Sequence, residues 1–186
     1  MTERYLFHTV QTAPRTWRTA ADALDAVSDD VLGPHGGRVF GIWRSQIGRP
    51  RDEVTAITTW PSDLDEGDAI AAASRWLGGD PQVRAHESRA MTPTLRPTES
   101  DPPRRQGNYA VRFFSTPEAN FAEFLSLCGA AWPGFEAAYD SQVIGLWQFD
   151  KATAQGAIDT LLLTRRPNLA MWERSKLPEG DAEREV

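Results

Sequence analysis

The stretch Arg38-Val-Phe-Gly-Ile-Trp43 returns 104 positions later as Gln142-Val-Ile-Gly-Leu-Trp147. Both runs are rich in β-branched and aromatic residues and read as strands. A glycine weakens a strand interior unless a bulge or a close approach demands the missing side chain. Residues two apart share a strand face, so Trp43 stands on the face of Gly41 and Trp147 on that of Gly145. The expectation is a bulky side chain lying over each glycine.

Working outward, the repeat continues at the same offset. Tyr5-Leu-Phe-His-Thr-Val10 lies opposite Tyr109-Ala-Val-Arg-Phe-Phe114, again two strand-like runs. Between these strands and the glycine strands comes a helix in each copy. Trp17, Ala20, Ala21, Leu24 and Val27 fall at helical spacing, and the first four are matched by Phe121, Phe124, Leu125 and Cys128. Pro14 and Pro117 suit a helix start, and Thr116 is the expected cap of the second helix. Cys128 takes a leucine position on this stripe and reads as a small core residue. It is the only cysteine, which leaves no intrachain disulfide and no Cys-rich metal site.

Downstream, Glu53–Trp60 matches Asp159–Arg166, each run closed by a proline (Pro61, Pro167). The offset has grown to 106, which puts a two-residue insertion in the preceding hairpin turn, where insertions are tolerated. Ser62 and Asn168 are the expected caps of a following helix. The first such helix carries Ile70, Ala73, Trp76 and Leu77 and stops at Gly78-Gly79; the second carries Leu169 and Trp172. A fourth strand, Val83–Thr92, follows in the first copy, and its counterpart would fall past Val186. Pro93, Pro97, Pro102 and Pro103 mark an extended linker.

The expected fold is α+β: tandem ferredoxin-like (βαββαβ) repeats forming a pseudo-dimeric α+β barrel, the second repeat lacking its last strand. Residues 1–92 form the first repeat, 93–107 the Pro-rich linker and 108–186 the second. Helices cover one face of such a sheet, and a tethered second copy would cover the other.

The chain resembles the NIPSNAP family of the dimeric α+β barrel superfamily. The resemblance rests on the opening Tyr-x-x-Arg of a copy (Tyr109 to Arg112, with Tyr5 to His8 in the first), on Val-x-Gly-x-Trp, and on Pro167-Asn-Leu-Ala-Met-Trp-Glu173. It implies a ferredoxin-like sheet paired into a barrel and no agreed catalytic set. The first copy departs from it by placing His8 where the family favours Arg.

Candidate ligand-binding residues follow from these strands. His8 and Arg112 are the polar residues at the centre of one face of the two first strands. If that face lines a cavity between the sheets, they are anchors for an anionic or carbonyl-bearing ligand, Arg112 as fixed charge and His8 titratable near neutrality. The competing reading is an internal polar network. Trp43 and Trp147 are either aromatic walls of a ligand pocket or core residues. Tyr139, just ahead of the second glycine strand, is placed at a cavity mouth. Glu53 and Asp159 are repeat-equivalent and read as hairpin charges. No catalytic residue stands out, because no nucleophile–base pair or phosphate loop is visible.

The function classes narrow accordingly. A net charge of −6 with scattered arginines argues against nucleic acid, and no run reaches the ~20 apolar residues a membrane helix needs. A haem would need a proximal histidine, and His8, His35 and His86 lie on strands or a turn; neither haem, another cofactor nor a metal is expected. A cytoplasmic protein binding a small organic ligand is the leading reading. The alternatives are a non-catalytic interaction scaffold and, ranked below it, a cofactor-independent monooxygenase or isomerase or a haem-binding enzyme. The open edge of the strand Tyr109–Phe114 predicts association with another copy, or coverage by residues 176–186.

Overall fold

The computed structural model describes residues 3–175. In chain order it holds β1 (Arg4–Thr12), α1 (Trp17–Ala26), α2 (Ser28–Leu32), β2 (Arg38–Arg44), β3 (Glu53–Trp60), α3 (Glu66–Gly78) and β4 (Val83–Arg96). There follow β5 (Asn108–Pro117), α4 (Phe121–Tyr139), β6 (Gln142–Phe149), β7 (Ala157–Arg166) and α5 (Leu169–Arg174). The chain divides into two compact units. The first falls within Met1–Pro93, Glu99–Pro103 and Phe149–Lys151, the second within Thr94–Thr98, Arg104–Gln148 and Ala152–Val186.

The first unit has the strand order β2-β3-β1-β4, with β1 antiparallel to both β3 and β4. That is the split βαβ wiring of a ferredoxin-like fold. The second unit repeats the order as β6-β7-β5, with β7 antiparallel to both neighbours. Strand β5 pairs with β7 and ends this order. Residues 176–186, expected as one cover for its edge, lie outside the described residues.

Both glycine strands carry the same irregularity. In β2, Val39 pairs with Thr58 and Gly41 with Ile57, leaving Phe40 as an extra residue. In β6, Val143 pairs with Thr164 and Gly145 with Leu163, leaving Ile144. Each is a β-bulge, which locally breaks the alternation of faces. Val39 and Ile42, three apart, therefore both pack in the cluster under the helices. The tryptophans use the space that the glycines leave: a Cβ built on Gly41 would collide with the Trp43 ring, and one on Gly145 with the Trp147 ring. The covering side chain is thus the strand's own.

The helix-facing core of the first unit joins Leu6 and Val10 of β1 to Leu24, Trp76 and Leu77 of the helices. Trp76 is 1 % exposed, and its indole donates to the Leu24 carbonyl at 2.8 Å, so its polar atom is buried without penalty. Full burial of a side chain this large stabilises by roughly 2–3 kcal/mol or more. In the second unit Trp132 of α4 packs on Val143, Leu146 and Leu162.

Several local details differ from the sequence-based expectation. Asp65, not Ser62, caps α3: its carboxylate accepts from Gly67 N at 2.8 Å, directly at the helix start where negative charge is favoured. Thr116 is a strand residue of β5, and α4 begins after Asn120 with no side-chain cap. Asn168 does cap α5, accepting from Met171 N at 2.9 Å. Val27 is 43 % exposed rather than part of the buried stripe. Strand β4 does not end at Thr92 but runs through Pro93 to Arg96. Its end is held within the second unit, where Thr94 Oγ1 donates to the Leu146 carbonyl at 2.7 Å and Arg96 binds Glu136 at 2.6 Å.

Candidate functional site

Register pairs across an antiparallel ladder share a face. His8 pairs with Ala56, and its neighbours Leu6 and Val10 belong to the helix-packed cluster, so His8 points toward α3. Arg112 pairs with Leu162, which packs beneath α4. The recurring polar position therefore faces the helices of its own unit, and not a space between sheets as the conditional reading supposed. Alternation along β1 and β5 divides the residues correctly but does not say which face the helices take.

His8 is fully buried, with both ring nitrogens engaged: Nδ1 with Ser88 Oγ and Nε2 with Thr58 Oγ1, each at 2.8 Å. Thr58 Oγ1 also accepts from the Trp60 indole at 2.7 Å, and the Trp76 ring meets the imidazole edge-on at 5.9 Å. Burial, with a smaller contribution from the charge of His86, lowers the His8 pKa to about 3. His8 is a neutral member of an internal polar network. It offers no atom to a ligand.

The second unit keeps the threonine of this network and differs at the histidine and the tryptophan. Arg112 replaces His8, Thr164 stands for Thr58, and Arg166 for Trp60. Arg166 is 1 % exposed, and its Nη1 donates to Thr164 Oγ1 at 3.1 Å, the counterpart of the Trp60–Thr58 bond. Its Nε donates to Ser175 Oγ at 3.0 Å, and its guanidinium lies over the Phe135 ring, 5.0 Å from the centroid. Burial first, and the Arg112 charge second, push its pKa down to about 10. Burial also lowers that of Arg112.

Two polar atoms on this helix-facing side are buried and lack a hydrogen-bond partner among the described residues: Arg112 Nη2 and Thr160 Oγ1. Neither Arg112 nor Arg166 has a carboxylate partner among the described residues. A buried donor without a partner costs about 1–3 kcal/mol, and more when charged. The surrounding side chains are apolar. Phe114 and Phe124 contact each other at 5.7 Å, and Leu125, Cys128 and Phe135 complete the layer. Burial raises the pKa of the Cys128 thiol, in keeping with a packing role.

The other expected residues fall elsewhere. Trp43 and Trp147 lie back over their glycines and pair with Thr55 and Leu161, on the face away from the helix clusters. Trp147 is fully buried. Tyr139 ends α4 and contacts the Phe135 ring at 5.7 Å. Glu53 and Asp159 serve their own hairpins: Glu53 takes two bonds from Arg49, at 2.6 and 2.9 Å, and Asp159 accepts from Thr153 N and Oγ1, both at 2.8 Å. His35 and His86 are exposed. Among the described residues no group of three or more His, Cys, Asp or Glu is placed to hold a metal ion, and no helix is long and apolar enough to cross a membrane.

Sequence reading passed over Arg166, Thr164 and Thr160. The available signal for Arg166 was its repeat position, where an aromatic core residue has been exchanged for a guanidinium.

Solved structures share this architecture. A candidate monooxygenase from Lactobacillus acidophilus superposes with a TM-score of 0.57 at 11% identity, over 100% of this chain and 85% of the other. The fold is confirmed as ferredoxin-like α+β. A candidate chlorite dismutase gives a TM-score of 0.55 at 14% identity, over 99% and 89% of the two chains. NIPSNAP family proteins stand among the matches. One of unknown function from Agrobacterium tumefaciens covers 53% of this chain and 95% of its own length, at 18% identity and a TM-score of 0.39. At these identities the likeness to the first two structures is one of fold. No family model matches the sequence, and no curated protein does.

Proposed function

We propose that the second unit binds a small organic ligand on the helix-facing side of its sheet, with Arg112 as the fixed polar anchor. The observation that carries this reading is the buried, unpartnered Nη2 of Arg112. Native interiors pair almost all such groups, and one left open beside an apolar layer is a recognisable feature of a ligand site. The first unit provides the contrast, since at the same position both nitrogens of His8 are satisfied. The reading concerns binding, and no reaction is assigned.

The test is a thermal-shift screen of small organic compounds on the whole chain and on Arg112→Gln. A ligand held at 100 times its Kd stabilises by about 2.7 kcal/mol, enough for a shift of several degrees. Hits should lose most of their shift in Arg112→Gln. Hits that keep it entirely would place binding elsewhere and defeat the reading.

A second reading, association of copies through β5, is supported by the place of that strand at the end of the second unit's order. A concentration-dependent mass in sedimentation, abolished by a proline at Val111, would favour it. A constant monomer mass would count against it.

A further inference from the structure

Among the polar groups held at least partly out of water in the described residues are the His8 network, the Arg96–Glu136 clamp and the Arg112–Arg166 pair. The first two are internally satisfied. In the clamp, Arg96 gives Nη1 to Glu136 Oε1 at 2.6 Å and to the Val143 carbonyl at 3.1 Å, and Glu136 Oε1 also accepts from Val143 N at 2.8 Å. Only the third has charge without a countercharge among the described residues.

We propose that the ligand of the second unit is an organic carboxylate carried on an aryl or alkyl body, its oxygens held between Arg112 and Arg166. This rests on the reading of a ligand site at Arg112 and goes further by naming the chemistry. Two guanidinium groups that share a sheet face, the charge of Arg112 acting on Arg166, with no acid beside them among the described residues, make a place where an anion is favoured. Arg166 is already fixed by Thr164, Ser175 and the Phe135 ring, so its fork loses little freedom on accepting a further partner. Arg112 brings the open Nη2. A carboxylate has two oxygens and about four lone-pair sites, enough to accept from both arginines.

The rest of the layer selects the body of the ligand. Phe124, Trp132 and Phe135 of α4 pack with Phe114 and Leu162 of the strands in one apolar layer. Such a layer offers nothing to a sugar or to a free inorganic anion, whereas it can bury a ring or a short chain. Charge at one end and apolar contact along the rest is the pattern of a benzoate-like or medium-chain acid. The first unit has no such site, because Trp60 and His8 occupy the equivalent positions with their hydrogen bonds complete.

Isothermal titration of the whole chain with benzoate and octanoate, with benzamide and octanamide, and with inorganic phosphate tests the proposal. The acids are expected to bind at least tenfold more tightly than their amides and than phosphate. The preference should fall to near unity in Arg112→Met and weaken partially in Arg112→Lys, which keeps the charge without the fork. Equal binding of acid and amide would overturn the carboxylate assignment while leaving the ligand site standing. Phosphate as tight as the acids would overturn the apolar body. Silence from every compound would overturn the ligand site itself. Circular dichroism checks folding, and if Arg112→Met does not fold, an unchanged acid preference in Arg112→Lys is the overturning result.

Discussion

Arg166 Nη1 donates to the hydroxyl of Thr164 at 3.1 Å, on the repeat-equivalent positions where Trp60 Nε1 donates to Thr58 at 2.7 Å. The acceptor is the same in the two units and the donor differs. An indole closes one core, and a guanidinium leaves charge in the other. The two threonines therefore predict different outcomes. Thr58→Val strands two buried groups, the Trp60 indole and His8 Nε2, while Thr164→Val strands one arm of Arg166. At about 1–3 kcal/mol for each stranded group, Thr58→Val should be the more destabilising in urea denaturation. Thr164→Val should also alter acid binding by the second unit, which Thr58→Val should not.

The buried imidazole makes stability depend on pH. The folded His8 pKa is near 3, against an ordinary value of 6.5 for the unfolded chain. Between these values the unfolded state binds the extra proton, so the His8 contribution is complete above pH 6.5 and is lost as pH falls toward 3. The slope reaches about 1.4 kcal/mol per pH unit for one such group. Urea unfolding at several pH values should show this slope in the native chain and a shallower one in His8→Gln. Parallel profiles for the two proteins would show that His8 does not carry the effect.

The glycines under Trp43 and Trp147 cannot take a side chain without displacing a ring. Gly145→Ala drives its methyl into the fully buried Trp147, where overpacking costs roughly 1–3 kcal/mol. Gly41→Ala meets the half-buried Trp43, which has more room to swing outward. The alanine at Gly145 should be the more damaging, measured by the midpoint of thermal unfolding. A reversed order would mean that Trp43 is the more tightly held ring.

The clamp at the end of β4 gives a stability prediction independent of any ligand. Burial alone would raise the Glu136 pKa, but the bonds from Arg96 and Val143 N outweigh it and the net shift is downward. Glu136→Gln removes the charge from a part-buried pair and should cost about 1–2 kcal/mol. Hydrogen exchange at Val143 N should rise with it, because that amide loses its charged acceptor.

Much of the fold is legible in the chain because each apolar stripe is stated twice, and agreement between copies separates signal from accident. The pairing of Gly145 with Trp147 could be anticipated from strand parity alone. The candidate site was half visible. His8 against Arg112 stands out as the point of divergence, but the sequence cannot say that helices cover that face, since either face of β1 carries enough apolar residues to be the buried one. Arg166 was hidden by its place before Pro167, where a charged residue reads as the solvated end of a strand. Only the tertiary packing against Phe135 and Thr164 shows that it is inside.

The bulges at Phe40 and Ile144 have a meaning beyond packing. An extra residue that interrupts a ladder fixes register as well as shape. Sliding β2 along β3, or β6 along β7, by one position would move the interruption off Phe40 or Ile144 and turn the strand's side chains to the wrong face. Each bulge is thus a pin that holds its glycine strand in one alignment with its neighbour.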